Sequence, residues 1–414
     1  MKYAGIFLAC LFGLVIGSGI YSCRKPYSPP AIAASNNYLV VEGQINNGPD
    51  STIIKLSRSA KVSSKVSQRP EMNASVAVES DQNVSYPLTE IRPGTYAIAG
   101  LGLDKTHKYR LSIKTANGGR YASNFMPVLD SPPIDSVSFD TNGSALTGDG
   151  LNIYVATHDP TGIVRYFRWD YQETWEFHSA FESNYIANGD TVLPRDMVND
   201  EIYSCWRSDT ASSIYLASTA GLSQSTVVNN PVNFINSASE KLSVEYSIQV
   251  RQYALTSDAY QFYSVLKKNT ELRGSIFDSQ PTEIPGNIYS VSNPAERVIG
   301  YIGVGSIATK RIFIHRDQLP YWVPVTFYTT DNCQILNDPQ NPQMPCCFFV
   351  TYDRYGNRIN QVKRYITVPS GYQYWIPIKA HTDQFGNITG YTIAEPECAD
   401  CRLRGTNVRP AFWR

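Results

Sequence analysis

The chain has 414 residues, with 36 basic and 36 acidic side chains and a formal charge of zero. That balance argues against the basic stripe that a nucleic-acid partner demands, and the length is enough for two or three domains with proper cores. Only 17% of residues are charged while tyrosine occurs 28 times, a composition that suits an exported β-protein better than a cytosolic enzyme.

The chain begins with one cation, Lys2, and then the apolar run Y-A-G-I-F-L-A-C-L-F-G-L-V-I-G-S-G-I-Y. Its length fits a secretory signal and also approaches that of a spanning helix. Gly13, Gly17, Ser18 and Gly19 loosen its end, and Ile20-Tyr21-Ser22-Cys23 resembles a bacterial lipobox. Residues 1–22 are therefore read as a lipoprotein signal peptide and Cys23 as the lipid attachment site, with an uncleaved helical anchor as the alternative. Two or three acyl chains on one cysteine anchor far better than one, because each buried CH₂ contributes about 0.8 kcal/mol. Residues 23–37, with three prolines and no period, read as a flexible tether.

From Tyr38 to about Pro133, short alternating runs such as T-I-I-K-L-S, A-S-V-A-V-E and K-Y-R-L-S-I-K are separated by N-N-G-P-D, R-P-G and N-G-G. This spacing predicts an antiparallel sandwich of immunoglobulin or transthyretin type over 38–133. A second, larger β-rich domain is expected over 134–414, so the fold class is predominantly all-β. Its strongest signal is Y-F-R-W-D-Y-Q-E-T-W-E-F at 166–177. Phe167, Trp169, Tyr171, Trp175 and Phe177 share one parity, which makes a long strand with an aromatic face. That face is read as core in preference to a sugar-stacking platform.

One helix is expected, at about 256–272, with Thr256 or Ser257 as its N-cap and a stripe of Tyr260, Phe262, Tyr263 and Leu266. D-R-Y-G-N (353–357) and D-Q-F-G-N (383–387) are read as two hairpin tips. Cys205, Cys333, Cys346, Cys347, Cys398 and Cys401 are six thiols in the second region. In an oxidising compartment they suit three disulfides stapling the C-terminal part, whose pairing is one of 15. Cys398 and Cys401 have metal or redox spacing, but a second C-x-x-C and a βαβ context are both lacking.

Catalytic motifs are scarce. The five histidines His107, His158, His178, His315 and His381 are isolated, and H-E-x-x-H and G-x-S-x-G do not occur. Gly303-Val304-Gly305-Ser306-Ile307-Ala308 superficially matches the dinucleotide fingerprint but sits in a β-rich run with no helix pattern behind it. Asp140-x-Asn142-x-Ser144 starts like a calcium loop but departs from the pattern afterwards. No cofactor and no metal site are expected, and the protein is read as a non-enzyme.

Several strings jointly carry a family resemblance: Y-L-V-V-E-G-Q-I, K-L-S-R-S, Y-S-I-Q-V-R-Q-Y-A-L-T, L-R-G-S-I-F-D-S-Q-P, G-N-I-Y-S-V-S-N-P-A-E-R-V-I-G-Y-I, K-R-I-F-I and E-C-A-D-C-R-L-R-G-T-N-V-R-P-A-F-W. Together they resemble the Bacteroidota lipoproteins grouped as domain of unknown function 4249, over nearly the whole mature chain. The resemblance implies an outer-membrane lipoprotein with an immunoglobulin-like first domain, in a family often encoded beside TonB-dependent transporters. It carries over no catalytic residue, only Cys23 at the lipobox position. Surface export in that phylum favours acidic residues after the cysteine, and here Arg24-Lys25 follow; cell-surface display is still expected over the periplasmic face. Four tripeptides match that phylum's O-glycosylation pattern and make Ser51, Ser136, Thr191 and Thr210 candidates.

The resulting expectation is an outer-membrane lipoprotein, held to lipid by acylated Cys23, that captures substrate for a TonB-dependent transporter in nutrient uptake. A structural or adhesive envelope protein is the alternative, and a glycan- or peptide-acting enzyme the third reading.

Overall fold

The computed structural model describes residues 37–59, 68–143, 148–188, 191–271, 286–324, 333, 337–338, 341–345, 350–352, 354–356, 358–360, 375–382 and 384–414. Residues 1–22, read above as a signal peptide, Cys23 and residues 24–36 of the expected tether lie outside the described residues. The fold is predominantly all-β, and among the described residues no helix is long and apolar enough to cross a membrane.

The first sandwich is built from β1 (Leu39–Asn46), β2 (Thr52–Ser59), β3 (Gln68–Pro70), β4 (Ser75–Ser80), β5 (Ser85–Arg92), β6 (Thr95–Ile98), β7 (Lys108–Lys114), β8 (Arg120–Ser123) and β9 (Met126–Pro127). The period-two pattern does what it predicts in β2, where Thr52, Ile54, Leu56 and Arg58 are buried and the residues between them are not. β5 belongs to both layers. Its first half pairs with β4, at Val76↔Leu88, and its second half with β6, at Thr89↔Ala97. Between the layers lies an aliphatic core of residues such as Leu39, Val41, Ile54, Leu56, Val78 and Leu111.

This sandwich is not complete at Pro133. Three short strands return to it from far along the chain: β19 (Ile288–Ser290) pairs with β8, while β20 (Val298–Ile299) and β21 (Val304–Gly305) add parallel to β1. Ile288, Ile302 and Val304 join the first core. Residues 286–305 thus pack with the first unit, cutting across a boundary drawn at 133/134. Glu296 accepts from Tyr121 Oη (2.7 Å) and pairs with Arg58 (3.4 Å), which ties the returning segment to the older strands. Gly305 has φ +153°, and a Cβ there would strike the Leu129 carbonyl. The close approach of the backbone at Leu129 and Asp130, not a phosphate, requires that glycine.

The second sandwich faces a three-stranded sheet of β10 (Ile134–Asp140), β11 (Gly150–Asp159) and β17 (Ser225–Asn236) against a five-stranded one. The larger sheet runs β15 (Ser204–Thr210), β12 (Tyr166–His178), β18 (Glu245–Leu255), β22 (Ile307–His315), with β16 (Tyr215–Ser218) also on β12. β13 (Tyr185–Asn188) and β14 (Thr191–Pro194) form a separate hairpin. Phe167, Trp169, Tyr171, Trp175 and Phe177 are all buried in the core. α1 (Ser257–Glu271) starts where its cap predicts, the Thr256 hydroxyl accepting from Ala259 N at 3.2 Å. Phe262, with Tyr260, Tyr263 and Leu266, packs it on the outer side of the larger sheet.

Farther on lie β23 (Asn337–Asp338), β24 (Asn341–Pro345), β25 (Val350–Tyr352), β26 (Arg358–Asn360), β27 (Ile376–Thr382), β28 (Ile388–Ala394) and a short α2 (Pro396–Ala399). β25–β26 and β27–β28 are the two expected hairpins, with Gly356 and Gly386 left-handed at φ +82° and +85°. The residues after α2 return to the larger sheet, where Thr406 bridges Trp206 and Trp413 packs edge-on to Trp206 and Phe313.

Candidate functional site

Strand parity gives the larger sheet two chemically different faces. On the inner face, Trp169 Nε1 donates to Gln252 Oε1 (2.9 Å), and Gln252 Nε2 donates to the Pro132 carbonyl (2.7 Å), so a fully buried amide pins the linker into the second sandwich. Glu173 shares the aromatic parity of β12 and is only 3% exposed. It forms an ion pair with Lys241 and accepts from Tyr246 Oη at 2.8 Å. Burial, followed by the charge of Glu173, pushes the Tyr246 hydroxyl well above its ordinary pKa. This network is enclosed and reads as structural.

The outer face is polar and partly open. Pairing lines up Arg168 with Tyr253 and Ile307, Asp170 with Arg251 and Thr309, Gln172 with Gln249 and Arg311, and Thr174 with Ser247 and Phe313. Covers lie at both ends. α1 closes the first row, where the Arg168 guanidinium sits between the Tyr253 and Tyr263 rings at 3.9 and 4.7 Å. The C-terminal residues close the last row through Trp413 on Phe313. The two middle rows form a strip between them.

Three guanidiniums border this strip with one carboxylate among them. Arg251 Nε donates to Asp170 Oδ1 at 2.5 Å, and Arg168 reaches the same carboxylate at 3.6 Å. Burial opposes the charge on Arg168 and Arg251, but tyrosine and Asp170 neighbours outweigh it and hold both pKa values up. Arg311 differs. Its Nη1 donates to Ser247 Oγ (3.0 Å), its Nη2 to Gln249 Oε1 (2.8 Å), and its plane stacks 3.7 Å from the Phe412 ring centroid. Among the described residues no carboxylate pairs with it, and burial alone pulls its pKa down. A desolvated guanidinium fixed by neutral acceptors is prepared to receive an anion.

Beside α1, a small pocket with room for little more than a water molecule lies at the junction of the two sandwiches, lined among others by Gln44, Met126, Thr256, Tyr263 and Tyr301. Tyr263 also contacts Arg168, so the pocket and the strip adjoin.

The residues singled out from sequence are placed elsewhere. Cys205 is bonded to Cys401 and Cys333 to Cys398; Cys346 and Cys347 lie outside the described residues, as does Cys23. The bonds span 196 and 65 residues of chain. Loop entropy makes them worth about 5 and 4 kcal/mol. Ser51, Ser136, Thr191 and Thr210 are all exposed. Among the described residues no cluster of His, Cys, Asp and Glu could hold a metal ion. Asp140 accepts from Asn142 N (3.2 Å) and Asn152 Nδ2 (3.0 Å), which makes it a turn residue. Arg251 and Arg311 were not foreseen, although their alternation in Y-S-I-Q-V-R-Q-Y and K-R-I-F-I marks them as one-face residues.

The model of one family, described as Domain of unknown function (DUF4249), matches residues 24–311. No curated protein matches the chain.

Proposed function

The chain belongs to the DUF4249 family, and on that premise we propose that it is a non-enzymatic lipoprotein of the outer membrane, serving as the substrate-capturing partner of a TonB-dependent transporter. Three features support this reading: the lipobox-like Ile20-Tyr21-Ser22-Cys23, the proline-bearing stretch behind it, and the preformed cationic strip on the second sandwich. The observation that carries it is Arg311, positioned by Ser247, Gln249 and Phe412 and left without a counter-ion among the described residues. That is the arrangement of a binding surface. Tethering through acylated Cys23 raises the effective concentration of such a surface at the membrane even when intrinsic affinity is modest.

A mild-detergent pull-down of the lipidated protein from native envelopes tests the reading. A stoichiometric outer-membrane barrel is expected, absent from a Cys23→Ala control. Recovery of the protein alone would overturn it. A second reading, an adhesive envelope protein, is favoured by the hairpin-tip rings of Tyr355 and Phe385, 74% and 79% exposed. It would take precedence if replacing those two rings abolished cell-to-surface attachment.

A further inference from the structure

We propose that the strip between α1 and the C-terminal residues is a docking site for an extended acidic segment of a protein partner, with two carboxylates two residues apart resting on Arg251 and Arg311. The proposal rests on the binding reading above and specifies the chemistry of the partner.

Charge comes first. Arg168 and Arg251 share Asp170 while Arg311 is held by neutral acceptors, so these four side chains leave about two positive charges in excess. Arg168 is withdrawn beneath Tyr263, so two guanidiniums remain to meet a ligand. Arg251 has a side chain 38% exposed and commits only Nε to Asp170, which leaves both Nη groups for another acceptor. Arg311 gives one hydrogen of each Nη to Ser247 and Gln249 and keeps the second of each, a two-pronged donor matched to a carboxylate.

Spacing selects the partner. Gln249 lies opposite Arg311 and Arg251 opposite Thr309, so the two arginines are diagonal neighbours on adjacent antiparallel strands. Such positions stand about 7–8 Å apart. Side chains at i and i+2 of an extended chain project to one side at about 6.6–6.8 Å. A carboxylate, any residue, then a second carboxylate matches both forks at once, whereas a single phosphate spans only one. Gln172 and Thr309 lie on the floor of the strip and offer neutral partners to the backbone of the incoming segment.

The test is calorimetric titration of the full chain in detergent with acetyl-Ser-Glu-Ser-Glu-Ser-amide, its isomer with adjacent glutamates, and inorganic phosphate. The alternating peptide should bind about tenfold more tightly than the isomer and weaken steeply with salt. Arg311→Gln should lose about tenfold, and Arg311→Lys, which keeps the charge but not the fork, about a third to a half of that on a logarithmic scale. Near-UV circular dichroism checks that both variants keep the fold; Gln249→Ala offers a second route, loosening Arg311 without removing it. Equal affinity for both peptides, displacement by phosphate at matching concentration, or indifference to Arg311→Gln would each overturn the assignment. A barrel that co-purifies equally with wild type and Arg311→Gln, while the peptide fails to bind, would overturn this site and leave the transporter reading standing. Arg311-dependent peptide binding with no co-purifying barrel would do the reverse.

Discussion

The two sandwiches solve the same packing problem with different materials. The first buries mainly aliphatic residues, such as Leu39, Ile54, Val78 and Leu111. The second buries Phe167, Trp169, Trp175 and Phe177 and admits Glu173 and Gln252 to its interior. All six tryptophans of the chain lie beyond residue 133. An aliphatic core needs volume and pattern; a core that includes a carboxylate also needs a specific partner for every polar atom. The first unit also holds a buried charge, Arg58, on its partners Glu71 and Glu296, so its tolerance is that of its aliphatic positions, while the second depends on the Glu173 and Gln252 pairs inside an aromatic core.

The largest break in that comparison should come from Glu173→Ala, which leaves Lys241 and Tyr246 without their partner. A loss of about 3–5 kcal/mol is expected in the tryptophan-fluorescence phase of urea unfolding. Replacing Glu173 and Lys241 by methionine together with Tyr246→Phe should restore most of it, because an apolar set removes the desolvation cost and leaves no unpaired hydroxyl. Failure of the triple variant to recover would mean that the network is needed for more than its charges.

A smaller change tests where the first unit ends. Ile302 is fully buried among first-sandwich residues although it lies late in the chain. Ile302→Ala should cost about 3 kcal/mol in the far-ultraviolet dichroism phase while leaving the tryptophan phase in place. Movement of the tryptophan phase alone would assign residues 286–305 to the second unit.

The smallest effect concerns pH. Asp159 sits at the end of β11, and burial would raise its carboxyl pKa. Hydrogen bonds from the Thr161 side chain and from the Val164 and Thr161 backbone amides outweigh that and hold it below the ordinary value. A depressed carboxyl lends stability that is complete above the unfolded pKa of about 4 and lost as pH falls through the folded value. Asp159→Asn should cost about 1 kcal/mol at neutral pH, and the gap should close toward pH 2. A gap independent of pH would assign the effect to shape.

Much of this architecture can be read from residues alone, and the exceptions share a cause. The β2 and β12 alternations, the Thr256 cap and the two G-N hairpin tips are local signals acting over a few residues, and each appears in the structure where the local rule puts it. The return of residues 286–305 is carried by strands of two and three residues, too short to show a period. Glu173 hides inside an aromatic alternation because its partners Lys241 and Tyr246 are about 70 residues away. The strip depends on register: a one-residue slip of β18 against β22 would move Arg251 and Arg311 to opposite faces. Disulfide pairing follows position in space, which spacing along the chain does not encode.

The late arrival of β20 and β21 also sets an order of events during synthesis. Strand β1 leaves the ribosome early, yet one of its edges has no neighbour until residues 298–305 follow. At about 5–20 residues per second, the roughly 250 intervening residues take about 13–50 s. For that interval Leu39, Val41 and Ile45 border an open edge capable of joining a strand of another chain. The emerging chain thus carries an unpaired edge in the sandwich that is the more aliphatic of the two once finished, and a chaperone that shields β1 until Val304 appears should raise its yield.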